Sequence, residues 1–171
     1  MDTNKEKEIK KETKFSGGKR LEKDAFDSKV LDLRRVARVV AGGRRFSFRA
    51  TVVAGNRKGE VGVGIAKGLD VQQSVNKATR MAKKDLIRVS FRNGTIVHEV
   101  DGKFGSAFVR LKPAAKGRGI IAGGAVRTVL SLAGLSDVTS KIISTSSNKL
   151  NIARATLEAL KHLKNKNRPT A

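Results

Sequence analysis

The chain has 171 residues, no cysteine, and 37 Lys and Arg residues against 15 Asp and Glu residues, so its formal net charge is +22. Without cysteine, disulfides, thiolate zinc sites and cysteine nucleophiles are excluded, and no apolar run approaches the roughly 20 residues that a membrane-spanning helix needs. Such an excess of positive charge is typical of proteins that bind a polyanion, and nucleic acid is the usual one.

The positive charge is concentrated in the body of the chain. Residues 1–27 hold eight basic and seven acidic residues, whereas residues 28–171 hold 29 basic and eight acidic ones. The first segment also lacks apolar periodicity, so we expect a disordered charged tail at residues 1–27, and a short basic tail at residues 166–171. The sequence shows no secretory signal and no lipidation motif, so we expect the protein in the cytoplasm.

Three antiparallel strands are predicted at the start of a first domain, which we expect at residues 28–91. The strands are expected at residues 30–40, 44–54 and 60–67, where β-branched residues and a period of two indicate extended chain. Gly42 and Gly43 are predicted to supply the positive φ values of a hairpin turn between the first two strands.

The side chains of the second and third strands indicate what each strand faces. Alternation in the second strand places Phe46 and Phe48 on its inward side, which favours packing of both rings in the core over stacking on bases and predicts that the strand is half-buried. In the third strand, Gly62 and Gly64 alternate with valines, which indicates that another element approaches that face closely.

A helix is predicted after the third strand, starting at Asp70 and running to about Val89. Asp70 and Gln73 form a variant of the capping box. At 100° per residue, an apolar stripe would face the sheet; its members are Val71, Val75, Ala78, Ala82 and Leu86. The opposite side is almost wholly basic, which favours contact with phosphates over an ordinary solvated face; its members are Lys77, Arg80, Lys84 and Arg88.

A second domain is predicted at residues 95–165, with three further strands and two helices. The strands are expected at residues 95–100, 104–111 and 138–144. The first helix lies within residues 119–134 and ends at Gly134 as its C-cap, and the last begins at Asn148 or Asn151. The chain is therefore predicted to be α+β, a βββα domain followed by a ββαβα domain, with the two packed on one another or dependent on a partner for full order.

Arginines cluster around the predicted hairpin turn. Glycine backbone beside several guanidinium groups suits contact with RNA, because arginine can pair phosphate bidentately. The chain has no Trp or Tyr, which argues against a platform that stacks single-stranded bases and favours recognition by shape and phosphate. The predicted RNA-binding residues are Arg34, Arg35, Arg38, Gly42, Gly43, Arg44, Arg45, Arg49, Arg57, Lys58, Lys67, Lys77, Arg80, Lys84, Arg88, Lys116 and Arg118.

Residues 117–124 form a Gly-rich segment that invites comparison with nucleotide-binding loops. Gly117, Gly119 and Ala122 match the dinucleotide fingerprint in its G/A form, and Asp137 follows at a plausible distance. The glycines do not directly follow a predicted strand, however, and no Lys-Ser/Thr pair comes after them, so neither a dinucleotide fingerprint nor a Walker loop is predicted. A tight helix start that places backbone amides near a phosphate or a protein partner is favoured instead.

No catalytic or metal site is predicted. His98 and His162 each lack a second ligand at metal spacing, and the Ser and Thr residues at 139–147 have no base nearby in the sequence to activate a nucleophile. We therefore expect no enzyme activity, no cofactor and no small-molecule substrate.

Four segments, in order, resemble one known family. They are residues 35–48, 61–64, 119–127 and 151–156, which read RVARVVAGGRRFSF, VGVG, GIIAGGAVR and NIARAT. All four resemble the small-subunit ribosomal protein five family, and the likeness covers about residues 28–165. It implies that the first domain is similar to double-stranded RNA-binding domains, which read A-form shape, and that the second is a βαβ type without catalysis.

The resemblance also implies where the protein binds. The hairpin loop at Gly42 and Gly43 would reach the head of the small subunit beside the spectinomycin site. Gly119 and Arg127 would lie near ribosomal protein four, on a surface linked to decoding accuracy, and ribosomal protein eight would be a further neighbour.

The predicted function is a structural constituent of the small ribosomal subunit that binds ribosomal RNA and supports assembly and translational accuracy. Two alternatives stay open on the sequence alone. One is a free double-stranded RNA-binding regulator, and the other is a small enzyme that uses the Gly-rich segment.

Overall fold

The computed structural model describes residues 26–163, in which two four-stranded sheets are covered by three helices. The charged tails predicted at residues 1–27 and 166–171 lie outside these residues, except for Phe26 and for Asp27, which begins the first strand. The α+β prediction is confirmed, although each sheet contains one short strand that the sequence pattern did not indicate.

The first sheet is antiparallel and its strands are ordered as they occur in the chain. It consists of β1 (Asp27–Val40), β2 (Gly43–Gly55), β3 (Glu60–Gly68) and β4 (Leu86–Arg88), with helix α1 (Val71–Lys84) between the last two. The three long strands lie where alternation predicted them. The turn between β1 and β2 is formed by Ala41 and Gly42, and Gly43 is the first residue of β2, paired with Val40. Only the second of the two glycines has a positive φ, at +136°, so the prediction for Gly42 was wrong.

Helix α1 lies directly on the backbone of β3. A Cβ atom on Gly64 would fall 2.1 Å from the carbonyl oxygen of Ala78, and one on Gly62 would fall 2.3 Å from that of Ala82. The close approach that the alternating glycines indicated is therefore made by the protein's own helix. Ala78 and Ala82 of the helix are themselves fully buried, so small residues on both elements bring their backbones together.

The start of α1 follows its capping residues and its end comes earlier than predicted. The Asp70 carboxylate accepts a hydrogen bond from the Gln72 N–H at 3.1 Å, and the Gln73 side-chain oxygen accepts one from the Leu69 N–H at 3.1 Å. The helix ends at Lys84, and the chain returns at once to the sheet as β4, which pairs with the start of β3. The prediction that the helix reaches Val89 was wrong, because the apolar residues after Lys84 complete the sheet.

The second sheet has the strand order β5-β6-β8-β7. It is built from β5 (Val100–Phe104), β6 (Ala107–Pro113), β7 (Ile120–Ile121) and β8 (Val138–Ile142), with helices α2 (Gly124–Ala133) and α3 (Lys149–Lys161). The strand predicted at residues 95–100 was wrong except at Val100, since residues 95–99 form no strand, and the strand predicted at residues 104–111 lies instead at 107–113. Strand β7 lies inside the Gly-rich segment and pairs with β8 in parallel.

The C-terminal end of α2 and the N-terminal end of α3 are capped by residues that the sequence indicated. Gly134 ends α2 with a φ of +91°, and its Cα hydrogens face the Arg57 carbonyl oxygen, which a Cβ would approach to 2.1 Å. Asn148 caps α3, with its side-chain oxygen accepting from the Leu150 N–H at 3.1 Å.

The two sheets share one hydrophobic core. Val53 and Val61 of the first sheet are fully buried in the same cluster as Val129 and Leu130 of α2. Two backbone hydrogen bonds join the halves, from the Arg57 N–H to the Leu132 carbonyl at 3.0 Å and from the Gly59 N–H to the Ala133 carbonyl at 2.9 Å. Residues 50–55 of β2 are consequently buried on both faces, and the prediction of a half-buried strand was wrong for this part.

Candidate nucleic-acid interface

The β1–β2 hairpin projects beyond the rest of the first sheet. Pairing of β2 with β3 ends at Phe48 and Gly68, whereas pairing of β2 with β1 continues to Gly43 and Val40. At about 3.4 Å per residue, the five further residue pairs extend the hairpin by about 17 Å. We call residues 34–49 the arginine ribbon, because six of these sixteen residues are arginine and none is acidic.

One face of the arginine ribbon carries two pairs of arginines directly opposite each other across the strands. The register places Arg34 opposite Arg49 and Arg38 opposite Arg45. Like charges in directly opposite positions destabilise a sheet by up to about 1 kcal/mol relative to neutral pairs. The opposed positive charges are unfavourable for the isolated fold and are better suited to an anionic ligand. We call this side of the ribbon the arginine face.

Ion pairs leave most of the ribbon's charge unneutralised. Arg34 pairs with Asp32 at 2.7 Å, but among residues 26–163 no carboxylate lies within ion-pair distance of Arg38, Arg44, Arg45 or Arg49. Arg110 on the second sheet shows the contrast: it holds Asp101 through two hydrogen bonds of 2.7 and 2.8 Å, which lower the pKa of that carboxyl. Arg110 thus has a carboxylate partner within the fold, which these four ribbon arginines lack among the described residues.

The other face of the ribbon carries aromatic and apolar side chains, and we call it the phenylalanine face. Phe46 is 51% exposed and Val39 is 76% exposed. The guanidinium carbon of Arg35 lies 4.7 Å from the centre of the Phe46 ring. The prediction that Phe46 packs in the core was wrong, because the ring lies on the part of β2 that extends past β3; Phe48, opposite Gly68, is half-buried.

Helix α1 adds a second group of basic residues. Lys77, Arg80 and Lys84 are all exposed on it. Arg88, predicted to continue this row, is also exposed but lies on β4, paired with Glu60 in the sheet register. Lys67 joins this group, because it lines a surface cavity of about 340 Å³ together with Lys77 and Ser47. The cavity connects the base of the ribbon with the start of the helix.

The turn between β2 and β3 belongs to a different surface. Arg57 has a φ of +55°, its N–H is bonded to α2, and its guanidinium pairs with Asp27 at 2.9 Å. It lines a cleft of about 530 Å³ with Arg127 and Ser131 of α2. The adjacent Lys58 is exposed and its N–H donates to the Asn56 side chain at 2.8 Å. The structure thus groups Arg57 with the predicted protein contact at Arg127, away from the ribbon arginines.

The Gly-rich segment is organised by a carboxylate of the protein itself. The Gly119 N–H donates to Asp137 at 2.8 Å, and the Ser136 hydroxyl donates to the same carboxylate at 2.9 Å. These two hydrogen bonds, in that order, lower the pKa of Asp137, and the N–H groups of Gly117 and Arg118 contribute in the same direction. Asp137 is 6% exposed, and the Gly119 amide that it accepts from is therefore already engaged within the protein.

The two ends of this segment carry the remaining predicted residues. Lys116 and Arg118 are exposed on the loop that Asp137 holds. Arg127 donates to the Ile120 carbonyl at 2.8 Å, which ties α2 to β7. Within residues 26–163 no three His, Asp or Glu side chains are placed to hold a metal ion, and none of the helices there is long and apolar enough to cross a membrane.

The sequence reasoning misplaced the environment of Phe46, for which it favoured the core. Its exposure follows from strand lengths: the predicted second strand is three residues longer than the predicted third, so one end of it must lack a neighbour on that side. Asp137, considered for the dinucleotide fingerprint, instead accepts a hydrogen bond from Gly119. A contact across 18 residues leaves no local signal in the sequence, so this role could not be predicted.

The chain matches two family models along most of its length. Residues 26–90 match the N-terminal domain of ribosomal protein S5, and residues 102–169 match the C-terminal domain of ribosomal protein S5. Among curated proteins it is similar to small ribosomal subunit protein uS5 of Lawsonia intracellularis, with 48% identity over 139 residues, 81% of this chain and 85% of the relative. The protein of the same name from Thermus thermophilus is 47% identical over 82% of this chain and 86% of its own. That from Persephonella marina is 51% identical over 79% of this chain and 70% of its own.

Proposed function

The chain belongs to the ribosomal protein S5 family, and from this premise we propose that it is a structural constituent of the small ribosomal subunit that binds ribosomal RNA. It is not an enzyme. The family relation gives the assembly, and the distribution of charge on the described residues supports a division of its surface between RNA and protein partners.

The observation that carries the RNA-binding role is the arginine ribbon. This projecting hairpin has six arginines and no acidic residue, and four of the arginines stand opposite one another in two cross-strand pairs. Such a concentration of positive charge is unfavourable for the isolated protein. Phosphates on either side of the hairpin would remove that repulsion and accept hydrogen bonds from the guanidinium groups. The exposed lysines and arginine of α1 extend the basic surface, so the ribbon and α1 would contact different parts of the same RNA.

The protein partners are assigned to the other surface. We propose that the cleft lined by Arg57, Arg127 and Ser131, together with the loop at Gly119, faces ribosomal protein four, and that ribosomal protein eight contacts the second sheet. The support is chemical: Arg57 is paired with Asp27 and Arg110 with Asp101, so part of the positive charge of these regions is already neutralised, whereas most ribbon arginines have no such partner among the described residues, and Leu132 adds apolar surface to the cleft.

The RNA-binding proposal is tested by the salt dependence of binding. If about eight phosphates are contacted, the affinity for particles assembled from small-subunit RNA and the other subunit proteins should fall by roughly three to four decades between about 50 and 200 mM salt. A nearly flat response would contradict the assignment of phosphate contacts to this basic surface.

A further inference from the structure

The phenylalanine face of the ribbon is exposed without a structural reason. Phe46 belongs to neither buried cluster of the protein, and it is the only exposed phenylalanine among residues 26–163. Exposed apolar residues that lie together, unlike single ones, mark interaction sites, and Phe46 lies beside the exposed Val39 and opposite the exposed Ala37 on this face. The ring therefore requires an explanation from binding.

We propose that an unpaired RNA base stacks on the Phe46 ring while phosphates bind the arginine face on the opposite side of the same ribbon. This inference rests on the proposed RNA-binding function and assigns a separate role to each face. RNA is read in single-stranded loops and bulges by stacking of splayed-out bases on aromatic rings and guanidinium planes.

The arrangement around the ring supports a base as its ligand. The Arg35 guanidinium lies 4.7 Å from the ring centre, so it fixes the ring's orientation and adds a second planar group at the site. This contact orders both side chains before binding, which reduces the conformational entropy lost when a ligand stacks.

The charge around the ring favours RNA over a protein segment. On the phenylalanine face the neighbours of Phe46 along the strands include Arg35 and Arg44, and the other face carries four more arginines. An apolar protein side chain reaching Phe46 would have to enter this field with acidic groups of its own, whereas a nucleotide brings its phosphate with its base. A single ring also differs from the multi-base platform that the lack of Trp and Tyr argues against.

The test compares substitutions at Phe46 with one at Val39, which is on the same face and more exposed. Phe46→Leu keeps an apolar side chain but removes the aromatic surface, Phe46→Tyr keeps the aromatic surface, and Val39→Ala is the matched control. Each full-length variant is titrated into particles made from small-subunit RNA and the other subunit proteins, at several salt concentrations, and the thermal unfolding of each free variant is measured.

Phe46→Leu should lower the affinity by roughly 5- to 150-fold, while Phe46→Tyr and Val39→Ala stay within about twofold of the wild type. The slope of log affinity against log salt should not change in any of them, because no phosphate contact is lost. Unchanged affinity for Phe46→Leu would overturn the inference. Equal losses for Phe46→Leu and Val39→Ala would also overturn it, since they indicate a generic apolar contact such as a protein partner makes. If Phe46→Leu unfolds, the affinity of Phe46→Tyr alone decides: a large loss contradicts stacking. A flat salt response of the wild type would instead refute the RNA-binding proposal itself.

Discussion

Replacing Arg38 and Arg45 together with alanine should affect folding and RNA binding in opposite directions. These residues stand directly opposite each other on the arginine face, with no carboxylate beside them among the described residues. Removing the pair relieves a cross-strand repulsion of about 0.2–1 kcal/mol, so the free energy of unfolding should stay constant or rise by that amount. For a protein of this size, the corresponding increase in Tm is at most a few degrees.

The same substitution removes two proposed phosphate contacts. Each contact contributes about 0.9 to the slope of log affinity against log salt on duplex DNA, so the slope should become shallower by about 2 and the affinity at low salt should fall. A matched control replaces Lys112 and Lys161 with alanine. It removes the same amount of positive charge, but these lysines are paired with Glu99 at 3.3 Å and Glu158 at 2.8 Å. The control should leave the slope nearly unchanged.

The stability of the free proteins is measured by calorimetry or thermal unfolding, and the slope is measured by salt titrations of their binding. A fall in Tm of ten degrees or more for the Arg38 and Arg45 variant would mean that these arginines are structural. A slope equal to that of the wild type would mean that they contact no phosphate. Either result would refute the reasoning from the ribbon's register and charge.

Two further predictions concern the folded body. Gly64→Ala should destabilise the protein by about 3 kcal/mol or more, because its Cβ would lie 2.1 Å from a backbone oxygen of α1 and overpacking against backbone is poorly relieved. Ala66→Gly on the same face is the control. Denaturant unfolding that shows both changes to be equally mild would contradict the prediction. Asp137, whose pKa is lowered in the folded state, contributes stability above the pKa of an unfolded Asp, near 3.9, and loses it as the pH falls through the lower folded value. Asp137→Asn retains an acceptor for Gly119 but does not titrate, so the stability of the variant should decline less than that of the wild type between about pH 4 and pH 2. Parallel curves of unfolding free energy against pH would show that the carboxylate's charge does not matter.

Much of the fold follows from local sequence patterns. The period of two located β1 to β3, Asp70 and Asn148 capped the helices predicted from them, and Gly134 ended α2 as expected. In each case the information lies within a few residues, because turns, caps and alternation depend on neighbouring side chains.

The features that sequence reasoning misplaced depend on contacts between distant elements. The three residues of β4 continue an apolar helical pattern, and only the free edge of β3 turns them into a strand. Phe46 alternates like a core residue, but its environment depends on how far the neighbouring strand extends. The role of Asp137 requires the second sheet to bring it to the Gly-rich segment, so it could not be derived from spacing.

As a structural constituent of the small ribosomal subunit, this chain should be present at about one copy per subunit, and sedimentation of a cell lysate tests this most directly. The amount of the protein is measured in each gradient fraction, before and after a wash at moderate salt. We expect about one copy per small subunit that survives the wash. Substoichiometric amounts on the subunit, with most of the protein in the soluble fractions, would contradict the claim and favour a free RNA-binding regulator.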